Sequence, residues 1–263
     1  MRRRFDKMEG LGNDFVIFDA RREALAMDAT LARRLADRQL GIGCDQLILL
    51  EPSDRAELRM RIWNHDGSEV QSCGNATRCV VALTGARTIE TAGGLLSGSA
   101  AGDRIEVSLG EPRFGWDEVP LDYPMDTAAL PMRWGPLEGP AALSVGNPHL
   151  VFFVPDSATV SLDELGPAIE HDPAFPERIN VNVASIAPDG ALQLRTWERG
   201  AGLTRACGTG ACATAVAAIR ARRAVSPVEV RMTGGTLRVA WAPSEPIRMT
   251  GAATHVFSGE IAL

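Results

Sequence analysis

Lysine is all but missing from the chain: of its 27 lysines and arginines, only Lys7 is a lysine. Schiff-base chemistry with pyridoxal phosphate needs a lysine amine, so only this one residue could anchor that cofactor. Histidine is scarce too. His65, His149, His171 and His255 are dispersed and no two cysteines have zinc-finger spacing, so no metal is expected. No stretch approaches the ~20 apolar residues that cross a bilayer. Near the start, Asp6, Lys7, Glu9, Asn13 and Asp14 break up any run that could form the core of an export signal. The expectation is a soluble, cytoplasmic protein with no membrane partner. The basic residues are scattered and the net charge is −6, which leaves no patch able to neutralise a run of phosphates. Nucleic acid is therefore not an expected partner.

What is present is a globular composition, 45% hydrophobic with mixed charge, enough to bury a full core. Five cysteines, an odd number without an export signal, suggest reduced thiols rather than a disulfide framework.

The chain also repeats itself. LGNDFVIF (11–18) resembles VGNPHLVF (145–152), and MRIWNHDGSEVQSCG (60–74) resembles LRTWERGAGLTRACG (194–208). Both pairs share one shift of 134 residues (12 to 146, 73 to 207), so no net insertion separates the blocks. The shift superposes Arg61 on Arg195, Trp63 on Trp197, Cys73 on Cys207 and Gly74 on Gly208. Two similar halves are implied, their equivalent sites facing across a cleft. A Pro-, Gly- and Trp-rich stretch (111–140) reads as edge strand and connection, placing the boundary near residue 118. The expected halves are residues 1–118, completed by a last strand over 255–263, and residues 119–254.

Periodicity predicts a helix over Asp28–Arg38 with Asp28 as its cap. FVIFD, QLILLE, ELRMRIW, RIEVSLG, HLVFFV, LQLRTWE, VEVRM, TLRVAW and HVFSG read as strands. Each Cys-Gly precedes a small, apolar run, NATRCVVALTGAR or TGACATAVAAIRARR, that reads as a buried central helix. Each cysteine thus stands at a helix N-terminus, where unpaired N–H groups and the macrodipole favour a thiolate and any bound carboxylate. A thiolate is a usable general base and a protonated thiol a usable acid, and inverting a carbon centre needs one of each on opposite faces.

The surroundings suit an amino acid. Gly74, and the run Gly208-Thr209-Gly210, let backbone N–H groups approach an anion. Asn13, Asn64, Asn75 and Asn147 offer neutral donors and acceptors for a zwitterion. The halves differ in charge capacity at His149, which follows the repeated Gly-Asn, and at Glu198, which takes the repeat position of Asn64. These two residues are candidates for tuning the thiols, with a satisfied strand histidine and an exposed Glu198–Arg199 pair as the plainer alternatives. Cys44, Cys79 and Cys212 read as core.

Taken together, GLGNDFV, GIGCDQ, NHDGSEVQSCGNATRC, GNPH, ERIN and ERGAGLTRACGTGACA resemble the diaminopimelate epimerases over most of the chain. The resemblance implies an α/β (α+β) fold of two pseudo-symmetric domains, each a β-barrel-like sheet wrapped around a central helix. It implies interconversion of LL- and meso-2,6-diaminopimelate, for lysine and cell-wall precursor synthesis, without cofactor or metal and commonly as a homodimer. It implies that Cys73 and Cys207 exchange the proton, with His149 and Glu198 modulating the thiols. Substrate contacts fall on Asn13, Gln46, Asn64, Gly74, Asn75, Asn147, Asn180, Glu198, Arg199, Gly208 and Thr209; Gln46 and Asn180 are themselves one repeat apart (46 to 180). The planar fork of Arg199 suits a distal carboxylate. Ala76 departs from the family's usual glycine.

Other readings remain. GTGACA (208–213) with Glu229 fits a dinucleotide-binding string, but too little chain follows for a doubly wound domain, and the repeat lacks the string. A thiol redox pair would ordinarily lie close in sequence. A racemase for another amino acid would share the fold.

Overall fold

A computed structural model describes residues 2–71, 73–102 and 104–263. The chain divides into two compact units, Met1–Ser108 with Thr250–Leu263, and Leu109–Met249.

The first unit contains β1 (Arg2–Gly10), β2 (Asn13–Asp19), α1 (Ala29–Ala36), β3 (Gln46–Glu51), β4 (Leu58–Asn64), β5 (Glu69–Val70), α2 (Gly74–Thr84), β6 (Thr88–Thr91), β7 (Gly94–Ala101) and β8 (Arg104–Ser108). The second contains β9 (Arg133–Trp134), β10 (Leu137–Glu138), β11 (Ala141–Ser144), β12 (Pro148–Phe153), α3 (Leu162–Glu170), β13 (Asn180–Ile186), β14 (Leu192–Glu198), β15 (Gly202–Thr204), α4 (Gly208–Arg220), β16 (Val228–Met232) and β17 (Gly235–Ala240). Then β18 (Arg248–Gly251) leads back, and β19 (Thr254–Ala262) pairs antiparallel with β1 in the first unit.

The two units repeat one topology. In the first, β2 runs parallel to β3, β3 antiparallel to β4, and β4 antiparallel to β5 and parallel to β6. In the second, β12, β13, β14, β15 and β16 pair in the same order and senses. Even the register carries over: Phe15 faces Gln46 as His149 faces Asn180, and Leu47 faces Trp63 as Val181 faces Trp197. One residue of slip would turn every side chain to the other face of a strand, so shared register means that equivalent positions lie on the same face of the sheet in both halves.

Each half has its own core. Val16, Phe18, Leu47, Leu49 and Trp63 pack with Ala32 and Leu35 of α1. Leu150, Phe152, Val181 and Val183 pack with Leu162 and Ile169 of α3. α1 forms because its apolar positions fall on one face and because Asp28 Oδ1 accepts the Leu31 N–H at 2.8 Å. α2 packs on β1, β7, β8 and β19, and α4 on β11 to β14, β16 and β17, so both helices are enclosed by strands of their own unit. α2 stops at Gly85, whose left-handed φ of 71° is one that glycine adopts without strain.

The division falls earlier than residue 118. Arg113 already bridges to Ser144, and Val119, Leu121 and Leu130 lie in the second core. The return is earlier as well: Thr250 donates to Glu106 at 3.4 Å, and the Ala252 carbonyl accepts from buried Arg78 at 3.2 Å. Ala76 is fully buried inside α2, where ordinary helical backbone accommodates its methyl group.

Candidate active site

Both cysteines are the N-cap residues of their helices, Cys73 before α2 and Cys207 before α4, with extended backbone at φ −148° and −123°. They are not equivalent in environment. Cys207 is buried, and its sulfur accepts the Gly210 N–H at 3.3 Å and lies 3.5 Å from Thr209 Oγ1. Cys73 is half-buried and makes no side-chain cap hydrogen bond.

In the first unit the polar groups present oxygen. Asn13 Nδ2 donates to Asp45 Oδ2 at 2.9 Å, which turns its carbonyl oxygen away from that carboxylate. Gln46 Nε2 donates to Asn64 Oδ1 at 3.0 Å, and Asn64 Nδ2 donates to Ser68 Oγ at 3.1 Å. Gln46 Oε1 and Asn75 Oδ1 are buried with no hydrogen-bond partner among the described residues. An unmet buried acceptor costs roughly 1–3 kcal/mol, so such atoms ask for a donor from outside the protein. An ammonium group is one.

Asp45 is itself held in an ionic cluster. Arg38 reaches Asp14 at 2.7 Å and Asp45 at 2.8 Å, and Lys7 meets Asp14 at 2.5 Å and the Gly43 carbonyl. Burial works to raise the pKa of Asp14, but hydrogen bonds from Arg38 and Lys7 outweigh it and hold the carboxyl well below its usual range. The lone lysine is thus structural.

In the second unit the equivalent positions are engaged differently. His149 Nε2 meets Asn147 Oδ1 at 3.0 Å, and Asn147 Nδ2 points at Thr209 Oγ1, 3.4 Å away. Asn180 uses both ends of its amide on the backbone, donating to the Pro148 carbonyl at 2.8 Å and accepting the Arg199 N–H at 3.0 Å. Arg199 is exposed, with Nη1 donating to the Glu177 carbonyl at 2.8 Å. Glu198 accepts from Thr204 Oγ1 at 2.6 Å and neighbours Cys207.

Burial decides the charge states here. Burial, assisted by the charge of Arg199, pushes His149 down to about 3, so it works as a neutral ring rather than as a charge. Cys207 is not lowered by its helix terminus. Burial, then the adjacent Glu198 charge, raises it well above the ordinary thiol value against the opposing hydrogen bonds from Thr209 and Gly210, so in the unliganded protein it is a thiol. Burial likewise raises Glu198.

The structure adds residues that sequence reasoning did not single out: Asp45, Thr204, and two buried polar groups beside His149, Asn182 and Thr196. A signal existed for the last two. Their repeat positions are Ile48 and Ile62, both buried and apolar, so a polar group stands in one half where the other has plain core (48 to 182, 62 to 196).

Comparison with known proteins fits this geometry. The family model described as diaminopimelate epimerase matches residues 5–114 and 141–256. A diaminopimelate epimerase of Rhizorhabdus wittichii is 62% identical over 262 residues, covering 99% of this chain and 96% of the relative. Those of Sphingopyxis alaskensis and Zymomonas mobilis are 61% and 50% identical, covering 98% and 97% of this chain and 96% of each relative. Among solved structures, a Bacillus anthracis phenazine biosynthesis protein of the PhzF family superposes with a TM-score of 0.70 at 16% identity, covering 100% of both chains. A hydroxyproline epimerase from Agrobacterium vitis gives 0.66 at 17% identity, covering 99% of this chain and 91% of that one. Those two likenesses concern the fold. With two cysteine-capped helices in one repeated frame and close sequence relatives over nearly its whole length, the chain belongs to the diaminopimelate epimerase family.

Proposed function

We propose that the protein interconverts LL- and meso-2,6-diaminopimelate by two-base proton exchange, Cys73 and Cys207 addressing opposite faces of one α-carbon. The observation that carries the reading is the repeat itself: two thiols, one repeat apart, each cap an enclosed helix. One thiolate removes the α-proton while the other thiol delivers a proton from the opposite face, and the roles reverse for the return reaction. Cys207 enters protonated, as its burial requires. The N-termini carrying Gly74 and Asn75, and Gly208 and Thr209, receive the carboxylate next to the reacting carbon, where helix N–H groups stabilise negative charge. Carbonyl oxygens of Asn13, Gln46 and Asn75 suit ammonium groups, and Arg199 suits the distal carboxylate, with Asn64, Asn147, Asn180 and Glu198 completing the pocket. Glu198 and His149 set the environment of Cys207. No cofactor enters this scheme.

We further propose a cytoplasmic homodimer as the working form, for which the exposed Val256 and Phe257 of β19 give apolar surface. Light scattering on the purified protein tests the dimer.

The catalytic reading is tested by incubating LL-diaminopimelate in deuterated water with the wild type, Cys73→Ala and Cys207→Ala, following α-deuterium and stereochemistry by NMR. The wild type should epimerise and label together, and each variant should lose epimerisation, with labelling absent or one-sided. Full epimerisation by both variants would falsify the cysteine pair.

A further inference from the structure

Asn182, on β13, is buried and makes three contacts that fix its amide without ambiguity. Its Nδ2 lies 2.8 Å from the Leu150 carbonyl, which can only accept, and its Oδ1 receives the Thr196 hydroxyl at 3.0 Å. Nδ2 therefore donates. The second hydrogen of that Nδ2 points at His149 Nδ1, 3.1 Å away, so Nδ1 must accept and cannot carry a proton. A neutral imidazole then holds its proton on Nε2, which donates to Asn147 Oδ1 at 3.0 Å. With its oxygen engaged, Asn147 turns its NH2 toward Thr209 Oγ1, and Thr209 stands 3.5 Å from Cys207. A thiolate only accepts, so when Cys207 ionises the Thr209 hydroxyl donates to it.

We propose that Asn182, supported by Thr196, is a positioning residue: it selects the Nε2–H tautomer of His149, and through Asn147 and Thr209 aims a row of donors at the Cys207 sulfur. The inference rests on Cys207 being a reacting thiol. The first unit lacks the device, having Phe15, Ile48 and Ile62 at the corresponding positions (15 to 149, 48 to 182, 62 to 196). There Asn13, equivalent to Asn147, is held by its NH2 on Asp45 and so presents the opposite end of its amide. Equivalent asparagines thus offer an acceptor in one half and a donor in the other, which a zwitterion requires of a duplicated site.

The groups that face these atoms are few. Glu198 on β14 and the Gly210 N–H and Thr209 hydroxyl on α4 face Cys207, and the Arg199 charge acts on His149. Gly210 packs directly on the relay: a Cβ there would stand 2.5 Å from Asn182 Oδ1 and 3.0 Å from Thr196 Oγ1.

Long-range proton–nitrogen NMR on the full chain with 15N-labelled histidine reads the tautomer, the His149 signal being assigned by its loss in His149→Gln. Wild type should carry the proton on Nε2, and Asn182→Asp, whose carboxylate attracts a proton, should place one on Nδ1. Iodoacetamide alkylation at Cys207, resolved by mass spectrometry across pH, is the second readout. Asn182→Leu should slow it roughly tenfold near neutral pH, the change that one unit of thiol pKa produces, while Cys73 in the same sample reacts as in wild type. Wild-type His149 protonated on Nδ1, or unaltered Cys207 alkylation in folded Asn182→Leu, overturns the proposal. Neither measurement depends on turnover, so both remain readable even if the deuterium experiment goes against the cysteine pair.

Discussion

Phe15 and His149 hold the same place in the duplicated fold, each facing the repeat-equivalent partner, Gln46 or Asn180, on a parallel neighbouring strand. Duplication is visible in two halves of one topology, and this exchange of an apolar ring for a polar one is one place where they part chemically. A symmetric pair of thiols would share one protonation behaviour. Differences around Cys207, in burial, in Glu198 and in the His149 relay, give it another.

His149 makes stability depend on acidity. Its folded value is depressed to about 3, against an unfolded value of about 6.5. Stability is therefore fully present above the unfolded value and falls as pH drops below it, because only the unfolded chain takes up the proton. Between pH 7 and pH 5 the loss from this group should be about 2 kcal/mol. Urea unfolding of wild type and His149→Gln at both pH values checks it, the variant showing the shallower dependence.

Asp14 acts lower on the scale. Its depressed carboxyl contributes stability above the unfolded carboxylate range near ~3.9, and that contribution is lost as pH falls below it. Asp14→Ala leaves Lys7 buried without its carboxylate partner, the Gly43 carbonyl remaining, and should cost about 3 kcal/mol at pH 7, with a flatter response to acid. Denaturation at pH 7 and pH 3 decides.

Glu198 raises Cys207 by its charge. Glu198→Gln should lower the midpoint of Cys207 alkylation by about one pH unit while slowing epimerisation. An unchanged midpoint would remove Glu198 from the account of that thiol.

Replacing a helical glycine by alanine ordinarily gains roughly 0.5–1 kcal/mol. Gly210→Ala should reverse the sign and cost about 1–3 kcal/mol, since its methyl meets Asn182 and Thr196 and disturbs the cap on Cys207. Thermal melts compared with a helix-surface control give the answer.

Cys73→Ser and Cys207→Ser keep the shape of each cap but exchange a thiol for a far weaker acid. Turnover should fall about a hundred- to ten-thousand-fold in each, with circular dichroism unchanged.

Much of this was legible beforehand because the repeat kept its register. The enclosed helices announced themselves as apolar runs after Cys-Gly, and Asp28 as a cap. β13 was not legible: NVNVASI looks half-polar, yet Asn180 and Asn182 are both buried, satisfied by the Pro148 and Leu150 carbonyls. β1 was hidden likewise, because Lys7 reads as a surface residue until Asp14 and the Gly43 carbonyl receive it. α3 carries Pro167 within it, which obscured its periodicity. Which thiol is protonated was not legible, because a helix terminus can be seen in a sequence, whereas the depth of burial that overrides it at Cys207 cannot.

The first unit is made of two chain segments, whereas the second is continuous from Leu109 to Met249. On the ribosome, the second unit therefore has all its residues before the first receives its closing strand. Until β19 emerges, one edge of β1 lacks its partner and Phe5 lacks the cover of Phe257 and Gly259. Bare strand edges recruit other chains, so β19, separated from its partner β1 by the whole second unit, is the strand that shields the nascent first half from aggregation.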